Sequence, residues 1–202
     1  MTRIQHHRSV ASWLSLLAGL VAAVLVTIGI LWWSYSRDGK IAPKTHPDEF
    51  PVPSDAELRH KLNAEQFHVT RENGTETAFH NPHWDNRKPG LYVDIITNEP
   101  LFSSLDKFDS GTGIPAFTKP ISPEHVVEKA DTSHDMVRRE VRAKKSDSHL
   151  GHIFDDGPPP TKLRYSVNSA ALRFVPAETL KKEGFLEFIP LFPQPAPTEA
   201  AK

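Results

Sequence analysis

The chain has 202 residues, with 24 Lys and Arg against 25 Asp and Glu, and no cysteine. That length allows one domain of ordinary size plus appendages, and the near-balance of charge gives none of the strongly basic character of a nucleic-acid surface. The absence of cysteine excludes disulfides, cysteine zinc sites and every mechanism that uses a thiol of this chain.

Residues 1–8 form a short N-terminal tail. From Ser9 to Ser36 there is no charged residue and no histidine. Within that run, Trp13 to Trp33 is predominantly apolar. At about 1.5 Å per helical residue it spans roughly 30 Å, the thickness of a hydrocarbon core. Trp32, Trp33 and Tyr35 sit where amphipathic rings favour the membrane–water boundary. Residues 9–36 are therefore expected to be one transmembrane helix. A cleaved signal peptide is the rival, but its apolar core is shorter and ends at small residues. Arg3 and Arg8 before the span are matched by Arg37, Lys40 and Lys44 after it, so Lys/Arg bias does not set orientation. A short N-terminal tail with a large C-terminal domain fits a signal-anchor. The domain is expected on the exported side, periplasmic or extracytoplasmic.

Residues 37–53 carry Pro43, Pro47, Pro51 and Pro53 among charges and read as a linker. Ser54 with Glu57 three positions on makes a capping-box pattern, so residues 54–67 are predicted helical, with a restart at Asn63. The folded domain is expected over 54–189, and the Pro/Ala-rich residues 190–202 are expected to be disordered. Gly90–Thr97 is rich in β-branched and aromatic residues and reads as a strand. Met136–Ala143 alternates as a half-solvated strand does. Leu163–Val167 and Ala170–Val175 are two more strands joined tightly. Gly111, Gly113 and Pro115 mark one loop, and Gly157-Pro158-Pro159-Pro160 another. The expectation is a mainly β fold of short antiparallel strands with a small helical part.

Four stretches carry a pattern beyond secondary structure: Phe67–Glu76; Pro100–Ser104 leading into Lys107–Pro120; Asp147–Pro158 with Ser-His-Leu-Gly-His; and Leu163–Phe174 with Arg-Tyr-Ser-Val-Asn. In this order they resemble the methionine-R-sulfoxide reductases, the MsrB family, over about residues 55–188. The resemblance implies a fold of two antiparallel sheets. It also implies reduction of the R epimer of methionine sulfoxide in proteins. In that family a cysteine attacks the sulfoxide sulfur, methionine leaves, and a second thiol resolves the resulting sulfenic acid.

By that resemblance Ser166 occupies the attacking position and Thr112 the resolving one. His149 and His152 help to protonate the sulfoxide oxygen, while Arg164 and Asn168 flank the nucleophile. Ile114 stands where a tryptophan packs on the substrate methyl group, and Phe154 is assigned to substrate binding. The chemistry is coherent: the sulfoxide oxygen needs an acid to protonate it as its sulfur is attacked, and histidine supplies one near neutral pH. Arg164, two residues from Ser166 on one strand face, would favour an anion there, and Asn168 falls on the same face. No cofactor is implied.

Serine cannot replace the cysteine. Its hydroxyl needs a strong base and is harder than sulfur, and the ladder through sulfenic acid to disulfide exists only for sulfur. Thr112 and Ile114 depart from the family as well. The expectation is a pseudoenzyme that binds peptidyl methionine sulfoxide or a protein partner. A residual or thiol-assisted reductase is the alternative, and a Ser166 hydrolase using a histidine with Asp155 or Asp156 is a weaker one. Cys-x-x-Cys zinc pairs of some members are absent at 72–75 and 94–97. His149/His152 and His80/His83 share an i, i+3 spacing, but no third ligand accompanies either pair, so no metal is expected. Arg138, Arg139, Arg142, Lys144 and Lys145 read as a solvated strand face rather than a nucleic-acid patch. Asn73-Gly74-Thr75 fits the N-glycosylation acceptor pattern, relevant only in a secretory context.

Overall fold

The computed structural model describes residues 52–192. The expected membrane span, most of the linker and the end of the C-terminal tail lie outside the described residues. Among the described residues no helix is long and apolar enough to cross a membrane.

The N-terminal helical part forms as two pieces. Helix α1 (Asp55–Lys61) starts at Ser54, whose side chain accepts from Glu57 N while Glu57 returns to the Ser54 backbone. Leu62 is extended, and a second capping box of Asn63 and Gln66 starts α2 (Ala64–Glu72). This second helix runs five residues beyond the expected end at Phe67. It stops at Asn73, which adopts left-handed backbone (φ 58°).

Among the described residues nine strands follow in two antiparallel sheets, β1 (Gly90–Asp94), β2 (Pro100–Ser103), β3 (Lys107–Phe108), β4 (Ala116–Phe117), β5 (Val126–Asp131), β6 (Arg138–Ala143), β7 (His149–Phe154), β8 (Arg164–Val167) and β9 (Leu172–Pro176). The smaller sheet has the order β2-β1-β9, and the larger β3-β4-β8-β7-β6-β5. Strands β8 and β9 are close in sequence, but a 3-10 turn at Ser169–Ala171 carries the chain from one sheet to the other.

Both faces of β1 are covered, which explains its five buried residues. Tyr92 joins Leu101, Phe102, Phe117, Val141, Leu150, Tyr165 and Val167 in the main core. Leu91 and Val93 point the other way, onto Val175, Leu180, Phe185 and Phe192. Helix α3 (Leu180–Glu183) and the 3-10 segment Leu186–Leu191 supply that second cover. Phe192 is only 4% exposed, so the folded body runs past Pro190.

Candidate active-site face

Cross-strand partners in a sheet share a face. Register across the large sheet places Lys129, Glu140, His152, Ser166, Ala116 and Phe108 in one row. His152 and Ser166 are therefore neighbours on one face. The opposite face, with Tyr165, Phe117 and Ile153, belongs to the core.

His149 reaches that face only because β7 is irregular. In a regular strand, residues i and i+3 point to opposite sides. Here the β6–β7 register shifts between Val141 and Arg142, so Val141 pairs with Gly151 while Arg142 pairs with His149. One extra residue in β7 reverses the alternation. Leu150 turns into the core, and the His149 ring lies 5.4 Å from that of His152. Gly151 permits this arrangement. Its φ is +152°, and a Cβ there would lie 2.0 Å from the Ser166 carbonyl oxygen.

Each histidine has a carboxylate. Nδ1 of His149 donates to Glu140 Oε1 at 2.6 Å, and Arg142 Nη1 donates to the same oxygen at 2.6 Å. Burial alone would raise the Glu140 carboxyl, but these partners outweigh it and hold it below its ordinary value. Burial dominates for His149, whose pKa is lowered despite Glu140. Its ring is thus neutral near pH 7, with the proton on Nδ1. Buried Nε2 meets no hydrogen-bonding group among the described residues.

Nε2 of His152 lies 2.7 Å from Asp131 Oδ2. The hydroxyl and backbone N–H of Ser133, then His152 and Arg138, hold Asp131 far below the usual carboxylate range. Arg138 Nη2 also bonds Asp131 Oδ2, at 2.7 Å. The two histidines line a polar cleft of about 670 Å³ with Asn73, Thr75, Ser133, Arg138 and Glu140.

The other expected site residues are arranged as follows. Arg164 forms a two-pronged pair with Asp156, at 2.8 and 2.9 Å, and its guanidinium lies 4.2 Å from the Phe154 ring centre. Its charge is matched within the protein rather than directed only at Ser166. Phe154 lines a neighbouring hollow with Val137, Arg138 and Arg139, and is absent from the lining of the histidine cleft. Asn168 is a buried tie: its Nδ2 donates to Leu150 O, and its Oδ1 accepts from Glu76 N. Thr112 is exposed, its hydroxyl 2.8 Å from that of Ser110. Ile114 stands two residues before Ala116, the cross-strand partner of Ser166. Of the second histidine pair, His83 packs against Tyr92 and Phe174, whereas exposed His80 turns to the Ala78 carbonyl.

Four positioning residues escape the sequence reading: Glu140, Asp131, Glu76 and Asn81. Glu76 accepts from the Ser169 and Ala170 N–H groups at 2.6 and 3.0 Å. Asn81 Nδ2 donates to Gly113 O, while its Oδ1 accepts from the Ser169 hydroxyl. Together they tie the loop bearing Ile114 to the turn after Asn168. A signal for Glu140 was available, because a buried histidine and a buried arginine need a shared acid. The basic run is also corrected. Arg142 is 8% exposed and is bonded to Glu140, Asp147 and Asn73, so it is no part of a solvated face.

Two antiparallel sheets, with paired histidines and a strand serine on one face of the larger, define a mainly β domain with a polar, histidine-lined cleft. The SelR domain family matches residues 62–176. Over 160 residues the chain is 51% identical to the peptide methionine sulfoxide reductase MsrA/MsrB of Vibrio cholerae serotype O1, covering 79% of this chain and 41% of that protein. It thus spans about two-fifths of that curated relative's length. This chain belongs to the SelR, or MsrB, family.

Proposed function

We propose that this chain is a membrane-anchored protein that recognises methionine-R-sulfoxide in polypeptides and has lost most or all of the reduction step. The observation that carries this reading is Ser166 in the row with His152 and Glu140, in a chain without cysteine. Histidine–carboxylate pairs suited to a polar oxygen are retained, while the sulfur needed to accept that oxygen is absent.

A sulfoxide oxygen accepts hydrogen bonds, and the histidine edge would donate to it once His149 takes up a second proton, on Nε2. Ile114 leaves a smaller apolar contact for the methyl group than tryptophan would. Thiol-assisted reduction through the same pocket is the alternative, with an external thiol attacking directly. It would forfeit the advantage of a positioned nucleophile. A Ser166 hydrolase has less support, because Asp155 pairs with Arg139 and Asp156 with Arg164. Residues 9–36 would anchor the protein, with its C-terminal domain on the exported side.

The test is binding of matched peptides bearing methionine, methionine-S-sulfoxide or methionine-R-sulfoxide to the full chain in mild detergent. Preference for the R epimer, lost in His152→Ala, is the expected result. Equal binding of all three would overturn the reading. Extraction resistance at alkaline pH and protease accessibility of the C-terminal domain test the anchor.

A further inference from the structure

His149 lines the polar cleft and is only 1% exposed, yet its Nε2 meets no hydrogen-bonding group among the described residues. Glu140, 2.6 Å from Nδ1, holds the ring proton there, so Nε2 carries a free lone pair. A buried acceptor left alone is unfavourable, and this one needs either a hydrogen-bond donor or a Lewis acid. His152 is arranged in the same way. Its Nε2 lies 2.7 Å from Asp131 Oδ2, which leaves Nδ1 for a ligand. Each imidazole thus has a carboxylate behind one nitrogen, the arrangement that orients metal-bound histidines.

We propose that His149 Nε2 and His152 Nδ1 form a zinc site in this cleft. The proposal goes beyond sulfoxide recognition and does not depend on it. The i, i+3 spacing supplies no third ligand, and among the described residues no three His, Asp or Glu side chains enclose an ion. The site is therefore an open one, with two imidazoles from the protein and water in the remaining positions. What the structure adds to the spacing is the carboxylate behind each ring.

Distance and charge select the occupant. The two ring centres are 5.4 Å apart. With zinc–nitrogen bonds of about 2.0–2.1 Å, each ring centre would stand about 3.2 Å from a shared ion. A separation of 5.4 Å then corresponds to an N–Zn–N angle of about 115°. That is near the tetrahedral geometry of zinc and far from the square-planar arrangement of copper(II). Magnesium and calcium take oxygen ligands instead. The charged lining of the cleft is Glu72, Asp131 and Glu140 against Arg138, with Arg142 pairing Glu140 from outside it. That balance suits a cation better than an anion.

Zinc is titrated into the full chain in mild detergent, with magnesium in parallel, and binding is read by competition with a chromogenic chelator. The expected result is zinc uptake that weakens at least about tenfold in His149→Gln and in His152→Gln, a loss that removal of an outer partner of a metal-bound histidine already causes. Uptake should be unchanged in His80→Gln, a control at an exposed histidine. Circular dichroism checks that each variant is folded. X-ray absorption of the wild type loaded with substoichiometric zinc needs no variant, and two imidazoles in the zinc shell are expected. No zinc uptake by the folded wild type, or equal uptake of magnesium, overturns the proposal. Undiminished affinity in the folded histidine variants, or a zinc shell without two imidazoles, overturns it too. Each of these outcomes leaves sulfoxide recognition to its own peptide assay.

Discussion

Replacing Gly151 by alanine tests how the two histidines come to share a face. The added Cβ would lie 2.0 Å from the Ser166 carbonyl oxygen and 3.0 Å from its carbon. Both are backbone atoms of the adjacent strand, so no flexible side chain can move aside. The left-handed φ of +152° adds strain for any L side chain. Overpacking and backbone strain each cost about 1–3 kcal/mol, so a loss of about 2–6 kcal/mol is expected. At about 3 °C per kcal/mol for a domain of this size, Tm should fall by about 6–18 °C. The assay is thermal unfolding followed by near-UV circular dichroism, with peptide binding measured below the transition. A variant within about 2 °C of wild type, still binding R-sulfoxide peptide, would refute the claim that this glycine holds β7 in its bulged register.

The remaining expectations concern protons, sulfur and a buried clamp. His149 has a pKa below its ordinary 6.5 because of burial. The unfolded chain thus takes up its proton first as pH falls, and stability drops below about pH 6.5 at no more than about 1.4 kcal/mol per pH unit for this group. His149→Gln should flatten the difference in urea stability between pH 7.5 and 5.5; an unchanged slope would exclude His149 as its source. Ser166→Cys alone should restore at most slight single-turnover reduction of R-sulfoxide peptide, whereas adding Ile114→Trp should raise it at least about tenfold, or ~1.4 kcal/mol. Full activity from the single change would show that Ile114 is harmless. Glu76→Ala removes the acceptor of two buried N–H groups, each costing about 1–3 kcal/mol when unpaired. Tm and amide-exchange protection at Ser169 and Ala170 should both fall, and unchanged exchange would count against the clamp.

Much of the fold was visible in local pattern. The capping pair Ser54/Glu57 and the restart at Asn63 correspond to the two observed helices. The β-branched run after Gly90 corresponds to β1, although that strand ends at Asp94, whose side chain accepts from the following turn. Residues 126–131 and 100–103 were not recognised as strands, since short segments acquire their structure from pairing with β6 and β1. The split of β8 and β9 between sheets depends on Glu76 and Asn81, which are more than 80 positions away from the turn they hold.

The candidate site was legible by residue type and only partly by geometry. The i, i+3 spacing of His149 and His152 argues against a shared face on a regular strand. Only the register shift against β6 makes them neighbours. Glu140 and Asp131 orient the histidines from other strands, so neither stood out in the Ser-His-Leu-Gly-His stretch. The family resemblance implies that Arg164 and Asn168 flank Ser166, and two-residue periodicity agrees with it. The fold also binds them elsewhere, to Asp156 and to the Leu150 backbone.

The measurement that tests the central claim most directly is turnover of a methionine-R-sulfoxide peptide by the full chain with excess dithiothreitol, beside Ser166→Ala. Binding of the R-sulfoxide peptide without turnover above the thiol-only background is the expected result. Sustained turnover that Ser166→Ala abolishes would contradict it, because the serine hydroxyl would then be performing chemistry assigned here to sulfur alone.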